Sequence, residues 1–258
     1  MNIIVCMKQV PDTETRIRLA KDGKAVDLAG VKWVVNPYDE YALEEAIKLK
    51  EKNGGNVTIV SVGPQRTEEA IRTGLAMGAD NAVLMKEELA DPLATAKVLS
   101  AIISKMQYDL VLCGKQAIDD DSATVCPALA EYLGIPNVSV ATKLELSADK
   151  KKATVTRQVE GADEVVETSL PAVISCQKGI NVPRYPTLPN IMKAKKKEIK
   201  AMALQDIGMT KDGLTPSTTA VEVSLPAQRS AGKLVDGETP ADMAAKLARL
   251  LREEAKVV

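Results

Sequence analysis

Nine consecutive residues, Gly114-Lys115-Gln116-Ala117-Ile118-Asp119-Asp120-Asp121-Ser122, bring together a lysine, an amide, three carboxylates and a hydroxyl. They follow an apolar run, Leu110–Cys113, and precede a helix-patterned stretch at about Thr124–Leu133. In an open α/β sheet a ligand binds at the carboxyl ends of strands, and a helix N-terminus offers free N–H groups to phosphate. Lys115 and Ser122 could add direct phosphate contacts. The opposing reading is that three acids and a serine merely favour the start of a helix. Three carboxylates also repel a phosphate beside them, so some must point elsewhere, for example to ribose hydroxyls. The residues alone leave both readings open.

Two further places could do chemistry. Asn36-Pro37-Tyr38-Asp39 stands just ahead of a helical pattern. It reads either as a turn opening a capped helix, or as an amide and a ring set against a base or flavin. Gly63-Pro64 ends a strand-like run and is a turn or a nucleotide-facing loop. A third candidate, Asn181-Val182-Pro183-Arg184-Tyr185-Pro186-Thr187-Leu188-Pro189-Asn190, is suited to docking rather than catalysis. Its prolines fix φ and remove backbone donors, which excludes helix and central strand there. A stiff loop with an apolar tip loses little entropy when a partner grips it. The basic run Lys193–Lys197 is a solvated helix face or a guide for an acidic partner.

Composition narrows the chemistry. The 258 residues contain no histidine. Ser-His-Asp and Cys-His catalysis and His-containing metal sites are therefore excluded. Lys, Cys or carboxylates could still do chemistry, but with the commonest general base missing an enzyme here is expected to rely on a cofactor. Four cysteines lie far apart with no C-x-x-C pair, which argues for a reducing compartment and against a disulfide framework. The net charge of −1, with both signs interspersed, excludes a general nucleic-acid or membrane surface. No stretch approaches the roughly 20 apolar residues of a membrane span. The opening Met1–Val5 enters a strand-like run without a basic flank, so a cytoplasmic location is expected.

The elements that must position these residues alternate. Ile3–Met7, Val57–Val62, Ala82–Met85, Leu110–Cys113 and Ala172–Cys176 read as strands. Tyr38–Glu51, Thr67–Met77 and Pro92–Met106 read as helices, with Thr67 able to cap the second and Asn53-Gly54-Gly55 ending the first through a left-handed cap. Continuously apolar strands between helices predict a mostly parallel, Rossmann-like sheet with helices on both faces. Lys143–Leu146, Ala153–Val159 and Val165–Leu170 alternate apolar with polar residues and predict an antiparallel extension. A helical run over Ile191–Ala203, a polar stretch over Gly208–Thr219, a short strand over Ala220–Ser224 and a last helix over Pro240–Glu254 complete the chain. The expected organisation is an α/β domain over residues 1–200, holding the docking loop 181–197, and an extended C-terminal arm over 201–258.

Several segments together resemble one family, the electron transfer flavoprotein β subunits. They are Val5–Val10, Asn36-Pro37-Tyr38 ahead of Glu44-Glu45-Ala46, Ile71–Asp80, Gly114–Asp119, Arg184–Lys197 and Gln228–Gly232. The resemblance runs nearly the length of the chain, and Tyr185–Lys197 is its most specific part. It implies a heterodimer with a larger α subunit, whose FAD is shared with this chain. Electrons would pass through that FAD from acyl-CoA dehydrogenases or similar flavin dehydrogenases to an acceptor. It also implies an adenine nucleotide in this chain, bound by Cys6, Asn36, Pro37, Tyr38, Asp39, Val62 and the run Gly114, Lys115, Gln116, Ala117, Ile118, Asp119, Asp120, Asp121, Ser122, Ala123, Thr124 and Val125. The Pro-rich segment resembles a recognition loop whose leucine, here Leu188, inserts into the dehydrogenase. Tyr185, Pro189, Ile191 and Met192 would flank it, and the C-terminal stretch resembles an arm crossing onto the α subunit.

The family implies two alternatives for the nucleotide. Ordinary members hold AMP, and electron-bifurcating members hold a second FAD that receives hydride from NADH. Val10-Pro11-Asp12-Thr13 and Asp121–Pro127 resemble the bifurcating group, since the ordinary group carries an Asn and a Thr-Gly pair in the latter stretch. Asp120 stands where bifurcating members carry Gly, and Asp119–Asp121 resembles the ordinary type. The balance favours FAD. Two other readings use the same fold. A stand-alone adenine-nucleotide-binding regulatory protein would need neither the Pro-rich loop nor the arm. An ATP-using ligase would need a Gly/Ser-rich loop after the first strand, which Lys8-Gln9-Val10-Pro11-Asp12 is not.

Overall fold

The structure, a computed structural model, describes residues 1–89, 91–228 and 231–258. Strand β1 (Asn2–Cys6) starts the sheet, and β2 (Gln9–Pro11) pairs antiparallel with β3 (Trp33–Val35) beside it. There follow α1 (Pro37–Asn53), β4 (Asn56–Val62), α2 (Glu68–Met77), β5 (Asn81–Met85), α3 (Pro92–Ile103), β6 (Leu110–Gly114) and α4 (Val125–Leu133). The extension comprises β7 (Asn137–Leu146), β8 (Lys152–Val159) and β9 (Ala162–Ser169), before β10 (Val173–Cys176) returns to the centre. Last come α5 (Leu188–Lys196), β11 (Lys200–Met202) and α6 (Pro240–Arg249).

Among the described residues the main sheet has nine strands in the order β11-β5-β4-β1-β6-β10-β7-β8-β9. Pairing is parallel from β11 to the start of β7 and antiparallel from β7 to β9. Both faces of the parallel part are buried, which explains its unbroken apolar strands. Ile3, Val5, Ile59 and Leu112 pack with α1 and α2 on one face, and Ile4, Cys6, Val111 and Cys113 pack with α3 and α4 on the other. The absence of phenylalanine is met by this aliphatic packing.

The structure corrects several sequence expectations. The run over Ile191–Ala203 is not one helix: α5 ends at Lys196, and Lys200–Met202 add an edge strand to β5. A three-residue strand has too few positions to display a period of two. The Pro-rich segment does admit a helix, because α5 starts at Leu188 with Pro189 in its first turn, where an N–H has no intrahelical partner to lose. Ala220–Ser224 forms no strand; its residues are mostly exposed, and the Val223 N–H donates to the Gly23 carbonyl. Thr67 has helical φ and ψ and makes no capping bond. Gly54 ends α1 with φ 71° and ψ 167°, outside the left-handed helical well. α3 stops at Ile103, and beyond α6 the Leu250–Glu254 turn is a π-helix. β7 begins at Asn137, six residues before its alternation is visible, because its first half lies beside β10 and its register shifts near Val140, where φ is 65°.

Beyond β11 the chain stays packed for one more stretch. Leu204, Ile207 and Leu214 are buried, and Lys105 Nζ, just beyond α3, donates to the Asp206 carbonyl at 2.6 Å. No described residue after Leu214 is buried.

Candidate functional site

The carboxyl ends of β1, β4 and β6 open into a cavity of about 840 Å³, within the usual range for ligand sites. Three connections meet there: Met7-Lys8-Gln9 after β1, Gly63–Arg66 after β4, and Lys115–Thr124 after β6. The start of α1 ties two of them together. Asn36 Nδ2 donates to the Gln116 carbonyl at 2.9 Å, and its Oδ1 accepts the Ile118 N–H at 3.2 Å. Asp39 Oδ2 accepts the Lys8 N–H at 2.7 Å, and Oδ1 accepts the Gly114 N–H at 3.0 Å. Both side chains are buried. Burial pushes the Asp39 carboxyl up to about 7, against the pull of its hydrogen bonds from Lys8, Asn36 and Gly114 and of the Lys8 charge.

Gly114 is required by this closeness. A Cβ there would lie 2.3 Å from Asp39 Oδ1 and 2.7 Å from the Tyr38 carbonyl carbon. A Cβ on Gly63 would lie 2.4 Å from Thr67 Oγ1. The three carboxylates of the next loop are largely accounted for. Lys8 Nζ pairs with Asp119 at 2.8 Å and Asp120 at 3.4 Å. Asp121 accepts from Gln116 Nε2 at 2.6 Å. Positive φ of 51° at Asp121 and Ala123 then turns the chain into α4.

Two helices begin at the cavity and differ in one respect. α3 is capped: Asp91 Oδ1 accepts the Leu93 N–H at 2.7 Å and the Ala94 N–H at 3.3 Å. α4 has no side-chain cap among the described residues and no acid in its first turn. Its first N–H groups are open, and Thr124, Val125 and Cys126 line the cavity. An anion would be favoured at α4 and opposed at α3.

Three of the cysteines, Cys6, Cys113 and Cys126, line the cavity, and Cys176 lies in the core. All four are free and buried. Hydrogen bonding with Cys113, then burial, pushes the Cys126 thiol well up, and burial does the same for Cys176, so both stay protonated and unreactive. Among the described residues no cluster of His, Cys, Asp or Glu could hold a metal ion.

A second region lies on the outer side of α1. Arg184 donates through Nε and Nη2 to the buried Glu44 carboxylate at 2.9 and 3.0 Å, and through Nη1 to Glu51 at 2.6 Å. Asn181 Nδ2 donates to Glu45 at 2.9 Å. At the far end Arg72 on α2 donates to the Ala194 carbonyl at 2.6 Å and to that of Lys197, closing the C-terminus of α5. Between these anchors the loop presents Tyr185 (94% exposed), Leu188 (78%) and Met192 (58%) to water.

Comparison with known proteins settles the family. An electron transfer flavoprotein domain model matches residues 24–207. The electron transfer flavoprotein subunit beta of Bacillus subtilis (strain 168) is 45% identical, with 100% of each chain covered. That of Thermoanaerobacterium thermosaccharolyticum is 44% identical over 92% of this chain and 93% of its own, and that of Homo sapiens is 41% identical over 98% of each. The chain belongs to the electron transfer flavoprotein β-subunit family.

Most residues expected at the β-subunit nucleotide site line the cavity: Cys6, Asn36, Asp39, Val62, Gly114–Asp120 and Ser122–Val125. Pro37, Tyr38 and Asp121 do not; Tyr38 lies under Lys115, whose Nζ is 5.4 Å from the ring centre. In the docking loop Leu188, Pro189, Met192 and Tyr185 are exposed, whereas Ile191 packs partly buried against the core. Of the Gln228–Gly232 run, residues 229 and 230 lie outside the described residues. The sequence reading missed the anchors Glu44, Glu45, Arg72 and Arg184 as a set, although each falls in a quoted family segment. It also missed Gln9, Trp33 and Arg66 at the cavity; an aromatic in a nearly aromatic-free chain was the available signal.

Proposed function

We propose that this chain is the small subunit of a heterodimeric electron transfer flavoprotein. With a larger α subunit it carries electrons between flavin dehydrogenases, such as acyl-CoA dehydrogenases, and an acceptor. FAD held largely by α supplies the redox chemistry. The β chain contributes no acid–base residue, in keeping with its lack of histidine. Its own cavity takes an adenine nucleotide, AMP or a second FAD. Motif resemblance favours FAD, and with it NADH-dependent bifurcation.

The observation that carries the nucleotide reading is the open start of α4 beside Gly114. Among the described residues no side chain caps its first N–H groups, and it lines the cavity at the carboxyl end of a parallel strand. The chemistry fits: Lys8 offsets Asp119 and Asp120, so the loop's acids do not simply repel a phosphate. Asn36 and Asp39 hold the binding loops, and Cys6 and Val62 form apolar wall for the ligand.

The rigid, apolar-tipped loop around Leu188 is the docking site for the dehydrogenase. The nucleotide-binding body, expected over residues 1–200, keeps the chain packed as far as Leu214. The rest of the expected 201–258 stretch is an arm whose exposed Met243 and Leu247 suit packing on α. Four unpaired thiols fit a cytoplasmic setting. Co-expression with the α subunit and extraction of bound nucleotides tests the reading. An assembled heterodimer without flavin would sink it, and one FAD plus AMP against two FAD decides between the nucleotides.

A further inference from the structure

The cavity extends past the residues so far assigned, into a part bounded by β2, β3 and the turn after β4. Gln9 sits there, only 8% exposed. Its Nε2 donates to the Arg66 carbonyl at 3.2 Å, which fixes the amide orientation because a carbonyl only accepts. Gln9 Oε1 is thereby left as an acceptor, buried and without a partner among the described residues. Arg66 Nε, on the residue Gln9 touches, is a buried donor equally without one. The guanidinium is held by stacking 3.9 Å from the Trp33 ring centre and by Glu88, 3.6 Å from Nη2. Both residues line the cavity. A buried polar group left unpaired is costly, so a complementary pair of orphans marks a place where something else completes the bonding.

A second observation on the lining of the same cavity points to a flat apolar body. Ile17 and Leu28, on the segment between β2 and β3, line it while remaining 49% and 43% exposed. They are large apolar side chains with one side in water, which a bound ring would cover.

We infer that Gln9 and Arg66 form a ring-recognition pair, taking the edge of a planar heteroaromatic group that presents a hydrogen-bond acceptor beside an N–H donor. Arg66 Nε donates to the acceptor, Gln9 Oε1 receives the N–H, Trp33 fixes the guanidinium, and Ile17 and Leu28 cover the ring. The pair rests on the nucleotide reading above and names what selects the ligand. Two rings carry such an edge: the adenine of AMP or FAD, through its ring nitrogen and amino group, and the flavin of FAD, through its imide.

The test is calorimetric titration of the nucleotide-free full-length chain with AMP and with FAD, for wild type, Gln9→Met and Arg66→Lys. Gln9→Met keeps the volume and loses the acceptor; Arg66→Lys keeps the charge and loses Nε. If the flavin edge is read, each substitution weakens FAD about tenfold or more and leaves AMP unchanged. If the adenine edge is read, both ligands weaken by the same factor. Wild-type affinity for both ligands in both variants, each giving an unaltered far-UV circular dichroism spectrum, would overturn the pair while leaving the cradle intact. Wild type binding neither AMP nor FAD would overturn the cradle and the pair together. Either variant decides the matter alone, so one that failed to fold would leave the test standing.

Discussion

The cradle and the proposed docking loop are braced by the same helix and by opposite means. At the N-terminus of α1, Asn36 and Asp39 turn inward, and their buried polar atoms bind backbone so that the loops around the cavity are set before any ligand arrives. Farther along, Glu44, Glu45 and Glu51 hold Asn181 and Arg184, so that Tyr185 and Leu188 can stay in water. A ligand site needs inward donors without freedom to reorganise, and a docking site needs outward apolar groups on a backbone without freedom to collapse. Carboxylates serve both because they accept more than one bond. One helix therefore fixes the relative position of the two.

That contrast can be broken first at Asp39. Asp39→Leu strands the Lys8 and Gly114 N–H groups in the interior and should destabilise the chain by about 4 kcal/mol, at about 2 for each unpaired donor; the midpoint of urea unfolding measures it. Gly114→Ala forces a methyl group against Asp39 and Tyr38 and should cost about 3 kcal/mol by the same measurement. Both should lower nucleotide content, and retention of full nucleotide by either would show that the cradle does not depend on this staple. Arg184→Met leaves Glu44 buried without its partner. Because Arg184 is about a third exposed, the expected loss is reduced to about 2 kcal/mol, with nucleotide content unchanged.

A pH series sharpens the same comparison. The folded Asp39 pKa, about 7, is above the ordinary 3.8. The folded state therefore holds a proton that the unfolded chain has released, and this contribution is full below about pH 4 and lost as pH rises through about 7. Asp39→Asn should flatten that part of the stability profile. Arg184→Met should keep the step through about pH 7 and change only the acidic end, where Arg184 holds the Glu51 carboxyl below its ordinary value. The smallest effect on stability belongs to Leu188→Ala, within about 0.5 kcal/mol at so exposed a site. Electron transfer with the dehydrogenase should nevertheless fall about tenfold, the scale of an interface anchor, with nucleotide content intact. Unchanged kinetics with the partner would make the loop merely structural.

Much of this was legible in the chain. The buried parallel strands are long enough to show as apolar runs, and the loops after them carry glycine, lysine and acids in a recognisable order. Three-residue strands such as β2, β3 and β11 were not, because their pairing and not their pattern defines them. The start of β7 was hidden because a strand that changes neighbour and register midway has no single alternation to read.

By itself the sequence determined the α/β alternation, the absence of histidine chemistry, the cradle segments and the stiff loop at Leu188. These depend on local composition and on residues adjacent in the chain. Only the tertiary structure decided what the side chains do. Asn36 and Asp39 read as ligand contacts or a helix-opening turn, and the fold shows that they also brace loops up to 82 residues apart. Asp119–Asp121 read as repelling an anion; Asp119 and Asp120 are offset by a lysine more than a hundred residues earlier, and Asp121 is held by Gln116. Gln9 and Arg66 carried no signal until folding buried one atom of each. A side chain's role depends on which partners reach it, and packing between distant segments sets those partners.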